Sequence, residues 1–152
     1  IDSYGRLDGI ERLGLIMLDI EGAEFAALRG AERYLGQPRD AAPHIVFELH
    51  RHYVDWSQGL DSTPICQYLT GLGYQLFAVR DYQSNVPMGN QPIELIRPDE
   101  TYLEGPPHGF NMLAVKNPVI LANPAFRFVS GVSPKLLKHR DPKLHQPLAG
   151  AA

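Results

Sequence analysis

Cysteine is almost absent: Cys66 is the single one among 152 residues. That excludes a disulfide within the chain and a zinc site built from several cysteines. It fits a reducing compartment, so the expected location is cytoplasmic. No apolar run approaches the roughly 20 residues that a membrane-spanning helix needs. No basic segment followed by an apolar stretch and a small-residue cleavage site opens the sequence. There is no basic excess either. The net charge is -3, which gives no global field to draw the chain to nucleic acid or an anionic membrane. Repeats and low-complexity tracts are missing. So is a glycine-rich phosphate turn, because "GNQP" at 89–92 and "EGPPHG" at 104–109 are turn chemistry with the wrong glycine spacing. The first residue is Ile rather than Met, and a strand pattern follows almost at once. Both lead to the expectation that the chain is part of something longer.

What is present is ordinary for a folded domain: 44% hydrophobic and 20% charged residues. Residues 1–12 read as an approach segment with a helical turn. The run at 15–18 reads as a strand covered on both faces. Residues 21–35 predict one helix, with Phe25, Leu28, Ala31 and Leu35 on its apolar stripe and Arg29, Glu32 and Arg33 towards water. Gly36 suits the left-handed position that closes such a helix. Strands are expected at 44–49, 74–80, 93–96 and 110–116. A helix opens at Thr63 and Pro64, an N-cap and N1 pair, and Gly73 ends it. Residues 81–108 form a long irregular segment around the strand at 93–96, and a basic stretch runs from 135 to 143. Alternating strands and helices predict a parallel sheet of crossover units. The last strand has no helix before it and is expected to be antiparallel to its neighbour.

In such a sheet, ligands bind beyond the carboxyl ends of the strands. Two strand exits are polar. The first carries Asp19, Glu21 and Glu24. Acids there can cap the following helix, Glu21 and Glu24 having capping-box spacing, or they can edge an active site. The second is "ELHRH", where spacings of two put Glu48, His50 and His52 on one face of an extended chain. A carboxylate and two imidazoles there suit proton transfer or metal binding, and equally an ordinary surface. His44, His139 and His145 carry no such signal.

The order of these blocks resembles the FkbM family of S-adenosylmethionine-dependent methyltransferases. The stretch "LIMLDIEGAEFAALRGAERYL" is similar to the family hallmark, an apolar strand ending in Asp-x-Glu-Gly-Ala-Glu and a helix with Leu-x-Gly-Ala. The matching residues are Asp19, Glu21, Gly22, Ala23 and Glu24, then Leu28, Gly30 and Ala31. "IDSYGRLDGIERLGLI", "PHIVFELH", "LGYQLFAV" and "GFNMLAVK", with Asn111, follow in the family's order, so the likeness runs from Ile1 to Lys116. Two departures stand out. The family usually has Lys where this chain has Met17. The family's opening strand, its glycine-rich cofactor turn and the ribose-binding acid that follows are not among these residues.

The resemblance implies an α/β fold: the C-terminal half of a Rossmann-like class I methyltransferase, a mostly parallel sheet with a final antiparallel strand. Residues 1–117 would form that portion and residues 118–152 a C-terminal extension. It implies S-adenosyl-L-methionine as cofactor and a hydroxyl on a small molecule, sugar or lipid as acceptor, without nucleic acid or a membrane span. Asp19, Glu48 and His50 are the candidate catalytic residues, with His50 as base. Asp19 and Glu21 are the candidate cofactor contacts, and no metal ligand is assigned. The segment 81–108 would lie over the site and shape acceptor choice. Two other readings compete: a scaffold or partner-binding module without catalysis, and a metal-dependent hydrolase using Asp19, Glu48, His50 and His52. Oligomeric state is open.

Overall fold

The computed structural model describes residues 1–80, 91–101 and 109–134. The basic stretch, His139, His145 and much of the segment expected to cover the site lie outside the described residues. The fold is mixed α/β. Helix α1 (Asp2–Leu7) leads to β1 (Leu15–Leu18), α2 (Glu24–Arg29), α3 (Glu32–Leu35), β2 (His44–His50), α4 (Pro64–Gly71) and β3 (Gln75–Val79). Then come β4 (Ile93–Ile96), a 3-10 turn, β5 (Gly109–Val115), a second 3-10 turn and β6 (Phe126–Phe128).

The strands form one sheet in the order β1-β2-β5-β3-β4-β6. β1 and β2 are parallel, with Ile16 opposite Ile45, as crossover through helices requires. β5 is the expected antiparallel strand, but it sits in the middle, antiparallel to both β2 and β3. β3 and β4 are antiparallel too. β6 joins β4 in parallel, so residues 118–134 extend the sheet. Parallel pairing is thus confined to the two outer pairs, β1–β2 and β4–β6, with antiparallel pairs between them, rather than running through most of the sheet as expected.

Alternation along the strands makes two cores. Ile45, Phe47 and Leu49 of β2, with Met112 and Ala114 of β5, face Leu28, Ala31, Leu35 and Leu69 of the helices. Phe77, Leu95, Leu113 and Val115 form a smaller core on the other face. That second face is open over β1, where Leu15 is 56% and Met17 71% exposed. The expectation of a β1 covered on both faces is thus corrected: only Ile16 is buried there. Met17, at the family's Lys position, lies on this open face.

The helix expected over 21–35 is two short helices. Its first residues are taken by a turn, so α2 starts at Glu24. The break at Gly30 and Ala31 is held open by Asp2. Its N–H donates to the Gly30 carbonyl at 2.7 Å, and its carboxylate accepts the Arg33 N–H at 2.9 Å. Backbone groups freed by the break so find partners. Leu28, Ala31 and Leu35 are still fully buried on the stripe. Gly36 is right-handed, not left-handed. The carbonyls that follow α3 are met by Lys116, whose Nζ donates to Leu35 and Gln37, both at 3.0 Å. Gly73, with φ of 85°, does close α4 in the left-handed conformation. Thr63 stands at the N-cap of α4, but its hydroxyl donates back to the Leu60 carbonyl at 2.8 Å.

Leu28 is the anchor of α2, so Leu28→Ala is expected to lower unfolding free energy by about 2–5 kcal/mol. Arg29→Ala, one residue on and exposed, should stay within about 0.5 kcal/mol. Urea denaturation of the two variants checks the pair.

Candidate active site at the exits of two parallel strands

β1 ends at Leu18, and the chain must turn sharply to enter α2. Glu21 and Gly22 make that turn in the left-handed region, with φ of 55° and 97°. Glycine takes such angles freely; glutamate does so at a cost on the order of 1 kcal/mol. Glu24 stabilises the turn. Its side chain is only 4% exposed, and its Oε1 accepts the N–H groups of Ile20 at 3.0 Å and Gly22 at 3.3 Å. The capping chemistry of the acidic motif is thus the work of Glu24 reaching back. Asp19 and Glu21 remain exposed.

The exit of β2 lies beside it. Glu48 and His50 share the second face of the sheet. Across from them on β5 are Asn111, opposite Glu48, and Gly109, opposite His50. A Cβ at Gly109 would strike the Glu48 carboxylate and come within 2.9 Å of His50 Cδ2. Glycine at this position is what lets carboxylate and imidazole lean together over β5.

His52 does not continue the extended face. The chain turns after His50, with Tyr53 and Val54 donating to the His50 carbonyl at 3.0 and 3.1 Å. The turn folds the His52 ring onto the His50 ring, 4.9 Å between centroids and 20° apart. It also points the His52 N–H at His50 Nδ1, 3.1 Å away. Nδ1 is therefore an acceptor, and in the neutral ring the proton sits on Nε2.

Glu48 holds its proton more tightly than an ordinary carboxyl. Partial burial is the largest cause, followed by the negative charge of Asp19; Glu21 and Glu24 add to the rise, and His50 opposes it. The two exits therefore share one electrostatic environment. Among the described residues, no three His, Cys, Asp or Glu side chains are placed to hold a metal ion. Asp19, Glu48, His50 and His52 are close in space but are not gathered as a ligand set.

One member of the site escapes sequence reasoning. Tyr53 donates its hydroxyl to Glu21 Oε2 at 3.2 Å, across 32 residues of chain. No spacing rule links the two, and the only hint is an aromatic residue just past a strand end. By contrast, a cleft of about 890 Å³ at the opposite end of the strands, walled by Tyr74, Phe77, Arg97 and Phe128, contains none of these groups.

The raised Glu48 pKa sets a pH dependence. The folded state holds this proton above the ordinary value of 4.5, so it binds more protons than the unfolded chain and loses stability as pH rises through that window. Glu48→Gln removes the penalty. The variant should unfold at a higher temperature than wild type at pH 7, and the difference should vanish below about pH 4, where both forms are neutral. Thermal melts at both pH values check this.

The geometry so far is a polar, strained strand exit next to a carboxylate and imidazole pair, all at the carboxyl end of parallel strands. No curated protein and no solved structure matches the chain. The family model described as the methyltransferase FkbM domain matches residues 1–76, which spans β1, the acid turn, β2 and its exit, and α4. On that match the chain belongs to the FkbM methyltransferase domain family.

Proposed function

We propose that this chain forms the acceptor side of an S-adenosyl-L-methionine-dependent O-methyltransferase site in a Rossmann-like sheet. The observation that carries the reading is the convergence of Asp19, Glu48 and His50 at the carboxyl ends of adjacent parallel strands, where open α/β sheets bind ligands. The exposed carboxylates of Asp19 and Glu21 fit the hydroxyl and ammonium donors of the cofactor. Met17 brings no charge to that group. The cofactor, when bound, supplies a methyl group already activated for attack by oxygen, which leaves alignment and proton removal to the protein.

Glu48 is the base best suited to that proton. Its raised pKa makes it a stronger base than a surface carboxylate. His50 was the candidate from sequence, but its Nδ1 lone pair is engaged by the His52 N–H. In that tautomer Nε2–H donates, so His50 orients the acceptor oxygen while Glu48 takes its proton. Partial burial, and then the charge of Asp19, keep Glu48 basic, and Asp19 faces the cofactor side. The acceptor is a hydroxyl of a small molecule, sugar or lipid.

β1 supports the rest of the reading. Its outer edge has no partner among the described residues, and its apolar side chains Leu15 and Met17 are exposed. Further strands pairing there would complete the sheet and bring the cofactor turn. Calorimetry with S-adenosyl-L-methionine tests the allocation: no measurable binding by the 152 residues, and micromolar binding once those strands are present. In the complete site, Glu48→Gln should slow methyl transfer by about 10²–10⁴-fold, measured by transfer of labelled methyl. Tight binding by the 152 residues alone overturns the allocation. A full rate in the Glu48 variant overturns the base assignment.

A further inference from the structure

We propose that Tyr53 is the positioning residue of this site, a latch that joins the acid turn after β1 to the exit of β2. Two contacts made by one side chain carry the inference. The first is steric. Gly22 stands at φ of 97°, and a Cβ there would lie 2.6 Å from Tyr53 Cγ. The ring occupies the space that any larger residue at 22 would need. The second is polar: the hydroxyl donates to Glu21 Oε2. Ring and hydroxyl therefore hold two consecutive residues that both adopt left-handed backbone angles.

Tyr53 is itself fixed from behind. Its N–H donates to the His50 carbonyl, and its ring lies 5.5 Å from the His50 ring and 6.5 Å from the His52 ring. The residue that ends the β2 exit thus grips the turn that ends β1. Glu21 cannot change its side-chain direction without losing the hydroxyl, and no side chain can replace the hydrogen at Gly22 without meeting the ring. Tyr53 stays 51% exposed, so the latch lies at the mouth of the site. The charged and titratable groups facing it are Glu21, Glu48 and Glu24 from the neighbouring strand exits and His50 and His52 from its own turn. Hydrogen bonding to Glu21, and then the charge of that carboxylate, raise the phenol pKa above 10.0.

The catalytic consequence rests on the methyl-transfer reading; the latch does not. NMR on the 152-residue chain with labelled tyrosine, using Tyr53→Phe to assign the resonance, tests the latch directly. With glycine labelled as well, Gly22 Hα should carry a ring-current shift in wild type and in Tyr53→Phe, and should lose that shift in Tyr53→Ala. The Tyr53 phenol should titrate above the ordinary range and return to it in Glu21→Gln. An unshifted Gly22 Hα in wild type, or a phenol that titrates alike in wild type and Glu21→Gln, overturns the latch.

The positioning role is read in a protein that carries the further strands proposed at the β1 edge, with S-adenosyl-L-methionine as probe. Tyr53→Phe and Glu21→Gln should each weaken binding by about three- to tenfold, in keeping with loss of a hydrogen bond to a charged group. The double variant should bind no more weakly than Glu21→Gln, with melting temperature unchanged. Binding by Tyr53→Phe equal to wild type overturns the positioning role. If the wild-type protein itself does not bind the cofactor, the methyl-transfer reading falls, and the NMR results alone decide for or against the latch.

Discussion

The site depends on one buried carboxylate. Glu24 accepts the Ile20 and Gly22 amides, and in doing so it both begins α2 and fixes the turn that precedes it. A buried acid without such donors would be costly. With them it becomes the pivot between strand and helix. Asp19 and Glu21 are then released from capping and stay exposed. The three acids of the motif therefore divide the work by burial: the inner one builds the turn and the outer two stay at the surface.

Two glycines do for the side chains what Glu24 does for the backbone. Gly22 admits the Tyr53 ring, and Gly109 admits Glu48 and His50. Each removes a Cβ at the point where two strand exits must approach. Partial burial first, and then the charge of Asp19, raise the proton affinity of Glu48. Basicity at this site is thus a product of packing as much as of residue type.

The strands were legible because apolar runs of this length, bounded by Gly, Pro and Asn, have few other uses. The motif that marks the family lies in residues 19–24, and its ordered neighbours were visible with it. What escaped depended on partners far along the chain. The break between α2 and α3 is held by Asp2, which the helical stripe cannot reveal. Gly36 had no need of a left-handed turn because Lys116 already serves the nearby carbonyls. The exposure of Met17 reflects what packs on β1, which the strand's own composition does not report. β6 is three residues long and too short to show a period. At the site, Glu48 and His50 were found by alternation. His52 was misplaced because nothing in "HRH" announces the turn after His50, and Tyr53 meets Glu21 only through the fold.

The position of β5 in the sheet has a kinetic side. This strand lies between β2 and β3, yet its residues, 109–115, come after both. During synthesis, β2 and β3 emerge long before the strand that must separate them, each with an unsatisfied edge facing where β5 will go. Closing the sheet then requires pairings such as Ile45 with Ala114, separated by nearly half the chain. Contacts of that separation slow folding and lengthen the time that open strand edges are exposed. The sheet face that carries Glu48 and His50, with Gly109 beneath them, is therefore among the last parts of the molecule to take shape.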